Sequence, residues 1–154
     1  MEEYVVRAEP LTSEGFAPFG QVIGRDDVVL ELRGDETFHL DIISYEHKPL
    51  RFEVLNRHHR ATQALIALNG KPSVVLVGPP DVDFSSRQHL DELRAFVADG
   101  SMGINLALGT WHAGPYPLTD RVDLVNVQGR QVLQNDVEEA HVARDLGVVV
   151  TLAL

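Results

Sequence analysis

Apolar and polar residues alternate over short runs in this chain, and no helical periodicity extends beyond three turns. Residues 37–44 (TFHLDIIS) and 51–56 (RFEVLN) alternate well enough to be strands, the second set apart by Pro49. The pattern continues through residues 57–69. Asn69-Gly70 then supplies the strongest hairpin signal, with residues 73–77 as the returning strand and Gly78-Pro79-Pro80 as its stop. Residues 93–97 and 103–108 flank a turn at 98–101, residues 111–117 carry a polar cluster, and residues 121–127 and 129–133 add further strands. The β-branched run 148–154 reads as a strand inside a sheet. Residues 22–24 form a short strand, and the stretch from Asp26 to Leu32 mixes apolar and acidic residues. Helical signal is confined to short turns. One spans residues 11–20, capped by Thr12 or Ser13 and ended by Pro18 and Gly20, and another lies near residues 88–93 in a polar loop. Short strands about ten residues apart predict an all-β sandwich or barrel, one domain over residues 1–154.

Composition narrows the classes. A chain of 154 residues, 44% apolar and 23% charged, can bury a proper core. Its longest apolar runs, such as Val74–Val77, are too short for a bilayer, and MEEYVVRAEP is acidic where a secretory signal is basic, so no membrane partner and a cytoplasmic location are expected. The absence of cysteine excludes disulfides, thiolate nucleophiles and thiolate metal sites. A formal net charge of −10 argues against a nucleic-acid partner, and an anionic small molecule would need a local basic pocket.

Two stretches concentrate chemistry: RHHRATQALIALNG (57–70) and GTWHAGPYP (109–117). On a regular strand Arg57, His59, Ala61 and Gln63 share one face, and His58, Arg60 and Thr62 the other. Parity therefore favours His59 with Gln63 inward, and only a bulge would bring His58 in instead. Trp111 has the profile of a core or interface aromatic as much as of a site wall. His39, His47, His89 and His141 are expected at the surface, residues 136–139 (DVEE) as a solvated strand end, and Asp123 near the barrel end, where a carboxylate could partner a site histidine.

The spacing of these stretches resembles the paired motifs of the cupin superfamily, whose jelly-roll barrel gathers polar side chains in its mouth. His59 lies four residues before Gln63, Gln63 seven before Gly70, and Gly109 three before His112. Arg57 stands where the first motif has a histidine, Gln63 where it has a glutamate, Ala107 for a proline and Tyr116 for an asparagine. No cofactor is expected, since a divalent ion at His59, Gln63 and His112 would lack an anionic ligand.

A closer resemblance covers most of the chain. LTSEGFAPFGQVI, NRHHRATQALIALNGKPSVVLV and LRAFVADGSMGINLALGTWHAGPYPL are similar, in order and spacing, to segments of the ureidoglycolate lyase family, a cupin branch. The resemblance implies a cupin-like double-stranded β-helix and a homodimer that splits ureidoglycolate into urea and glyoxylate in allantoin (purine) catabolism. It also maps site positions onto Arg57, His58, Thr62, Gln63, Asn105, Trp111 and His112, so it favours His58 where parity favours His59. In that reading His112 is the base, with His58 or His59 beside it. Arg57 or Arg60 clamps the carboxylate, Gln63 and Asn105 grip the ureido group, and Trp111 walls off water. The dimer is expected to form through sheet edges or the N-terminal strand. Asn56, Leu106, Leu108 and Ala113 depart from the family pattern. A relative acting on another small hydroxy or ureido acid, a non-catalytic binding cupin and a metal-dependent cupin enzyme are the competing readings.

Overall fold

A computed structural model describes residues 1–24 and 27–154, so Asp26, at the head of the mixed stretch, lies outside the described residues. Strand β1 (Glu2–Pro10) leads into a helical turn, α1 (Ser13–Phe16), capped by the Thr12 hydroxyl, which accepts from the Gly15 amide. Next come β2 (Gly20–Ile23), β3 (Phe38–Glu46), β4 (Arg51–Phe52), β5 (Leu55–Arg57), β6 (Gln63–Ala67) and β7 (Ser73–Gly78). A 3-10 turn (Arg87–Glu92) precedes β8 (Arg94–Ala98), β9 (Gly103–Leu106), β10 (Trp111–Pro117) and β11 (Arg121–Gly129). The chain closes with α2 (Val132–Asn135), β12 (Glu138–Ala140), α3 (Val142–Leu146) and β13 (Val148–Ala153).

The strands form two curled sheets, one of eight in the order β12-β5-β10-β7-β8-β1-β13-β4 and one of five in the order β2-β9-β6-β11-β3. This is the expected all-β, cupin-like barrel with short helical turns. Its central element is β7, in which every residue is buried. Val74 and Leu76 join one core with Leu55, Trp111, Val148 and Val150, while Val75 and Val77 join a second with Leu65, Phe96, Ile104 and Leu124. The second core fills the space between the sheets. Phe16, Phe19 and Phe96 pack there edge to face or tilted, with ring centres 5.4–6.0 Å apart.

Several local expectations change once strands find their partners. Asn69-Gly70 does not close a hairpin: β6 pairs with β9 and β11, and β7 pairs with β8 and β10. The apolar residues on both faces of β7 require a central position, so the turn, with Gly70 at φ 66°, carries the chain from one sheet to the other. In the same way β8 and β9, although successive, join different sheets. No separate strand spans residues 129–133. Instead β11 runs through Gly129, where a Cβ would meet the Glu36 carboxylate at 2.6 Å, and that carboxylate accepts from the Gln131 amide as the chain turns into α2. The N-terminal strand β1 is internal, paired in parallel with β13 along residues 2–7 and with β8 along residues 8–10.

Candidate functional site

The expectation that residues 57–69 form one regular strand fails at a specific place. After Arg57 the chain leaves the sheet, and β6 begins at Gln63. Asp136 holds the break: its carboxylate accepts from the amides of His59 (2.9 Å) and Arg60 (3.0 Å), and its carbonyl meets His58 Nδ1 at 2.8 Å. The break resets the alternation, as a bulge would. His58 is therefore the inward residue, its ring centre 5.2 Å from that of His112. His59 turns outward to Glu138 (2.8 Å) with about half its side chain exposed, which removes it from the inward set and from any metal site with Gln63 and His112. Asp136 itself is buried rather than a solvated strand end.

His112 is placed by β10, where it lies opposite Val77 of β7 and Asn56 of β5. Its Nδ1 faces the Thr110 carbonyl at 3.3 Å, as His58 Nδ1 faces that of Asp136. A carbonyl only accepts, so each Nδ1 carries its proton and each Nε2 keeps a lone pair. Burial pushes His112 down to about 4, helped by the neighbouring His58 ring; burial also lowers His58, against the upward pull of its bond to Asp136. Both rings are neutral bases at pH 7.

In front of His112 opens a cavity of about 590 Å³. Lys48, Arg51, Asn56, Gln63, Tyr45 and Tyr116 line it with His112. Lys48 Nζ sits 3.9 Å from the centre of the Tyr116 ring, holding a cation at the rim. Gln63 is buried, donates from Nε2 to Asn126 Oδ1 (2.8 Å), and leaves Oε1 without a partner among the described residues; Asn56 Oδ1 is likewise unpaired. The pocket thus combines cations, amide acceptors and a neutral imidazole, with the carboxylates of Glu53 and Glu139 also on its lining.

Several expected site residues lie elsewhere. Arg57 is not on the cavity lining: it pairs with Glu138 (3.0 Å), donates to the Pro80 carbonyl and stacks 4.1 Å from the Trp111 ring centre. Arg60 is bonded to Gln131 (2.5 Å) and Asn135 (3.1 Å). Trp111 points into the core on the alternate side of β10 from His112, donating to the Val82 carbonyl. Asn105 and Thr62 line a different cleft with Gln21 and Glu31. Asp123 bonds Ser44 (2.6 Å) and Arg121 (2.9 Å), not a histidine. His47 is exposed and His39, His89 and His141 are partly exposed.

Tyr45, Lys48 and Arg51, which are not among the expected site residues, complete the pocket with Asn56, which was expected only as a departure from the family pattern. Their signal was the cation pair in HKPLRF beside Pro49, but nothing local shows that β4 and β5 end at the cavity. A narrow gap behind the cavity is lined by His58, Gln63 and His112, three neutral donors. Among the described residues no cluster of three His, Cys, Asp or Glu side chains exists, so this set fits a divalent ion poorly.

The family model described as ureidoglycolate lyase matches residues 30–149. The chain belongs to this family. A ureidoglycolate lyase from Burkholderia mallei (strain NCTC 10229) is 32% identical over 157 residues, covering 86% of this chain and 89% of that protein. One from Pseudomonas paraeruginosa (strain DSM 24068 / PA7) is 33% identical over 143 residues, covering 79% and 82%. One from Pseudomonas fluorescens (strain Pf0-1) is 35% identical over 140 residues, covering 77% and 81%. The matched region contains the cavity's polar residues, from Tyr45 to Glu139, and also Asp136. Among the described residues no helix is long and apolar enough to cross a membrane.

Proposed function

We propose that this family member cleaves ureidoglycolate to glyoxylate and urea, a carbon–nitrogen lyase of the amidine-lyase type acting in cytoplasmic allantoin degradation. The observation that carries the reading is the composition of one cavity: a neutral His112 shares its lining with Gln63 and Asn56, whose amide oxygens are unpaired, and with the cations Lys48 and Arg51. These cations outweigh an anion's repulsion by Glu53 and Glu139 only if they hold its carboxylate directly. The substrate carries a carboxylate, a hydroxyl and a ureido group on one carbon, and each has a counterpart. Lys48 and Arg51 hold the carboxylate. Gln63 Oε1 and Asn56 Oδ1 accept from the ureido N–H groups. His112 Nε2 takes the hydroxyl proton as the carbonyl of glyoxylate forms. The carbon–nitrogen bond breaks with its electron pair going to nitrogen, and the imidazolium returns a proton there to complete urea. His58, which lines a narrow gap with His112, helps keep the His112 ring neutral in the resting site. No step uses a metal.

A homodimer is proposed with it. The outer face of the five-stranded sheet presents Leu40, Ile42 and Ile66, all exposed, in register with Val125 and Val127. A monomeric mass by light scattering at micromolar concentration would overturn that assembly. For the activity, purified protein is given racemic ureidoglycolate and glyoxylate is followed with time. Turnover abolished by His112→Ala supports the lyase; tight binding of ureido acids without turnover would mark a binding module instead. Activity that needs a stoichiometric metal, seen by elemental analysis, would replace the mechanism above with a metal-dependent one.

A further inference from the structure

Gln63 could present either end of its amide to the cavity, and the choice sets which ligand groups the site accepts. Its orientation is determined from outside the pocket. Asn126, fully buried on β11, donates from Nδ2 to Asp41 Oδ1 (2.8 Å) and accepts at Oδ1 from Gln63 Nε2 (2.8 Å). Asp41 lies directly opposite Asn126 on the edge strand β3, and an ionised carboxylate can only accept. Turning Asn126 over would set its carbonyl against that carboxylate and lose a charge-assisted hydrogen bond whose Asn126 end is fully buried. With Asn126 held, Gln63 must spend its NH₂ on Asn126 and leave Oε1, which is buried and unpaired, to the cavity. We propose that Asp41 and Asn126 are positioning residues, a relay that locks Gln63 with its carbonyl toward the ligand and so makes the site select a terminal N–H donor. This rests on the ureido-acid reading above and deepens it: the relay determines specificity for the –NH₂ end.

The relay sits 22 residues from Gln63 on one side and 63 on the other (Asp41 and Asn126), so nothing near Gln63 in sequence announces it. It is also reversible by design of the charge at position 41. A cation there would donate to Asn126 Oδ1, turn Asn126 to donate to Gln63 Oε1, and leave the Gln63 NH₂ facing the cavity.

The test compares two ligands of one skeleton and charge, hydantoate (ureidoacetate) and N-acetylglycine, which replaces the terminal NH₂ by CH₃. Binding is measured by calorimetric or NMR titration. The wild type is expected to favour hydantoate by about tenfold, the worth of one hydrogen bond to a buried acceptor. Asp41→Lys should bring the ratio close to one while N-acetylglycine binds at least as well as before, and Gln63→Leu should collapse the ratio in the same way. Because Asp41 is exposed and both probes carry the same carboxylate, general misfolding or added attraction for anions would move both affinities together and leave the ratio intact. A wild-type ratio retained in Asp41→Lys, or no preference in the wild type, overturns the relay. Turnover of ureidoglycolate with an unchanged ratio sinks the relay alone; a ratio that collapses as expected without turnover sinks the lyase reading alone.

Discussion

Replacing His112 by glutamine removes a buried titrating group, and the consequence for stability can be worked through. In the folded chain burial holds the imidazole at about 4, against 6.5 for the free side chain. The fold therefore prefers the neutral ring. Its contribution to stability is complete above pH 6.5 and is lost as pH falls from there toward 4, because the unfolded chain takes up the proton first. At about 1.4 kcal/mol per pKa unit, the loss between pH 7.5 and pH 5 is about 2 kcal/mol. For a chain of this size that is roughly 4–8 °C in Tm. The assay is unfolding in guanidinium chloride, urea being avoided as the proposed product, at pH 7.5, 6 and 5 for both proteins. His112→Gln has a different absolute stability, so only the change with pH is compared. The wild type should lose about 2 kcal/mol more than the variant over this range. His58, whose affinity for protons burial also lowers, contributes in the same direction to both. Acidification also relieves the repulsion of a chain at −10, equally in both, which is why the difference is read. Parallel pH curves for the two proteins would refute the buried, neutral His112.

Three further outcomes are expected. His58→Ala should lower kcat/KM for ureidoglycolate by about 100-fold, whereas His59→Ala, which removes a half-exposed ion pair with Glu138, should change it by less than about threefold; glyoxylate release measures both. Lys48→Ala and Arg51→Ala should each raise KM by roughly tenfold at low salt and less at high salt, with kcat little changed, as steady-state kinetics at two ionic strengths will show. Gly100→Ala should destabilise the fold by about 2–3 kcal/mol in guanidinium unfolding, because a Cβ there would lie 2.2 Å from the Gly70 backbone and φ is +95°.

Much of the architecture is written locally. Alternation over residues 37–44, the Thr12 cap of α1 and the β-branched run ending in β13 reflect preferences that short windows reveal, whereas the run 51–56, expected as one strand, is split into β4 and β5, which pair with different strands. The order of the motifs around His58, Gln63 and His112 also sufficed to point to the family. Pairing did not follow from such windows. Whether β6 meets β7, or β8 meets β9, depends on which apolar faces cover each other across the whole chain, and Asn69-Gly70 is as good a crossover as a hairpin.

The site shows the same division at finer scale. His58 and His59 are adjacent, and strand parity alone assigned the wrong one to the interior. The outcome was set by Asp136, 77 residues from His59 and 76 from Arg60, whose buried carboxylate captures both amides and breaks the strand. Likewise the arginines nearest the histidines were drawn off by Glu138 and Gln131, and the cations at the cavity came from Lys48 and Arg51. Residue types and their order determine which chemistry is within the chain's means. Which of two like residues carries it is decided by buried polar groups finding partners from distant strands, since an unsatisfied amide or carboxylate costs more than a local change of register.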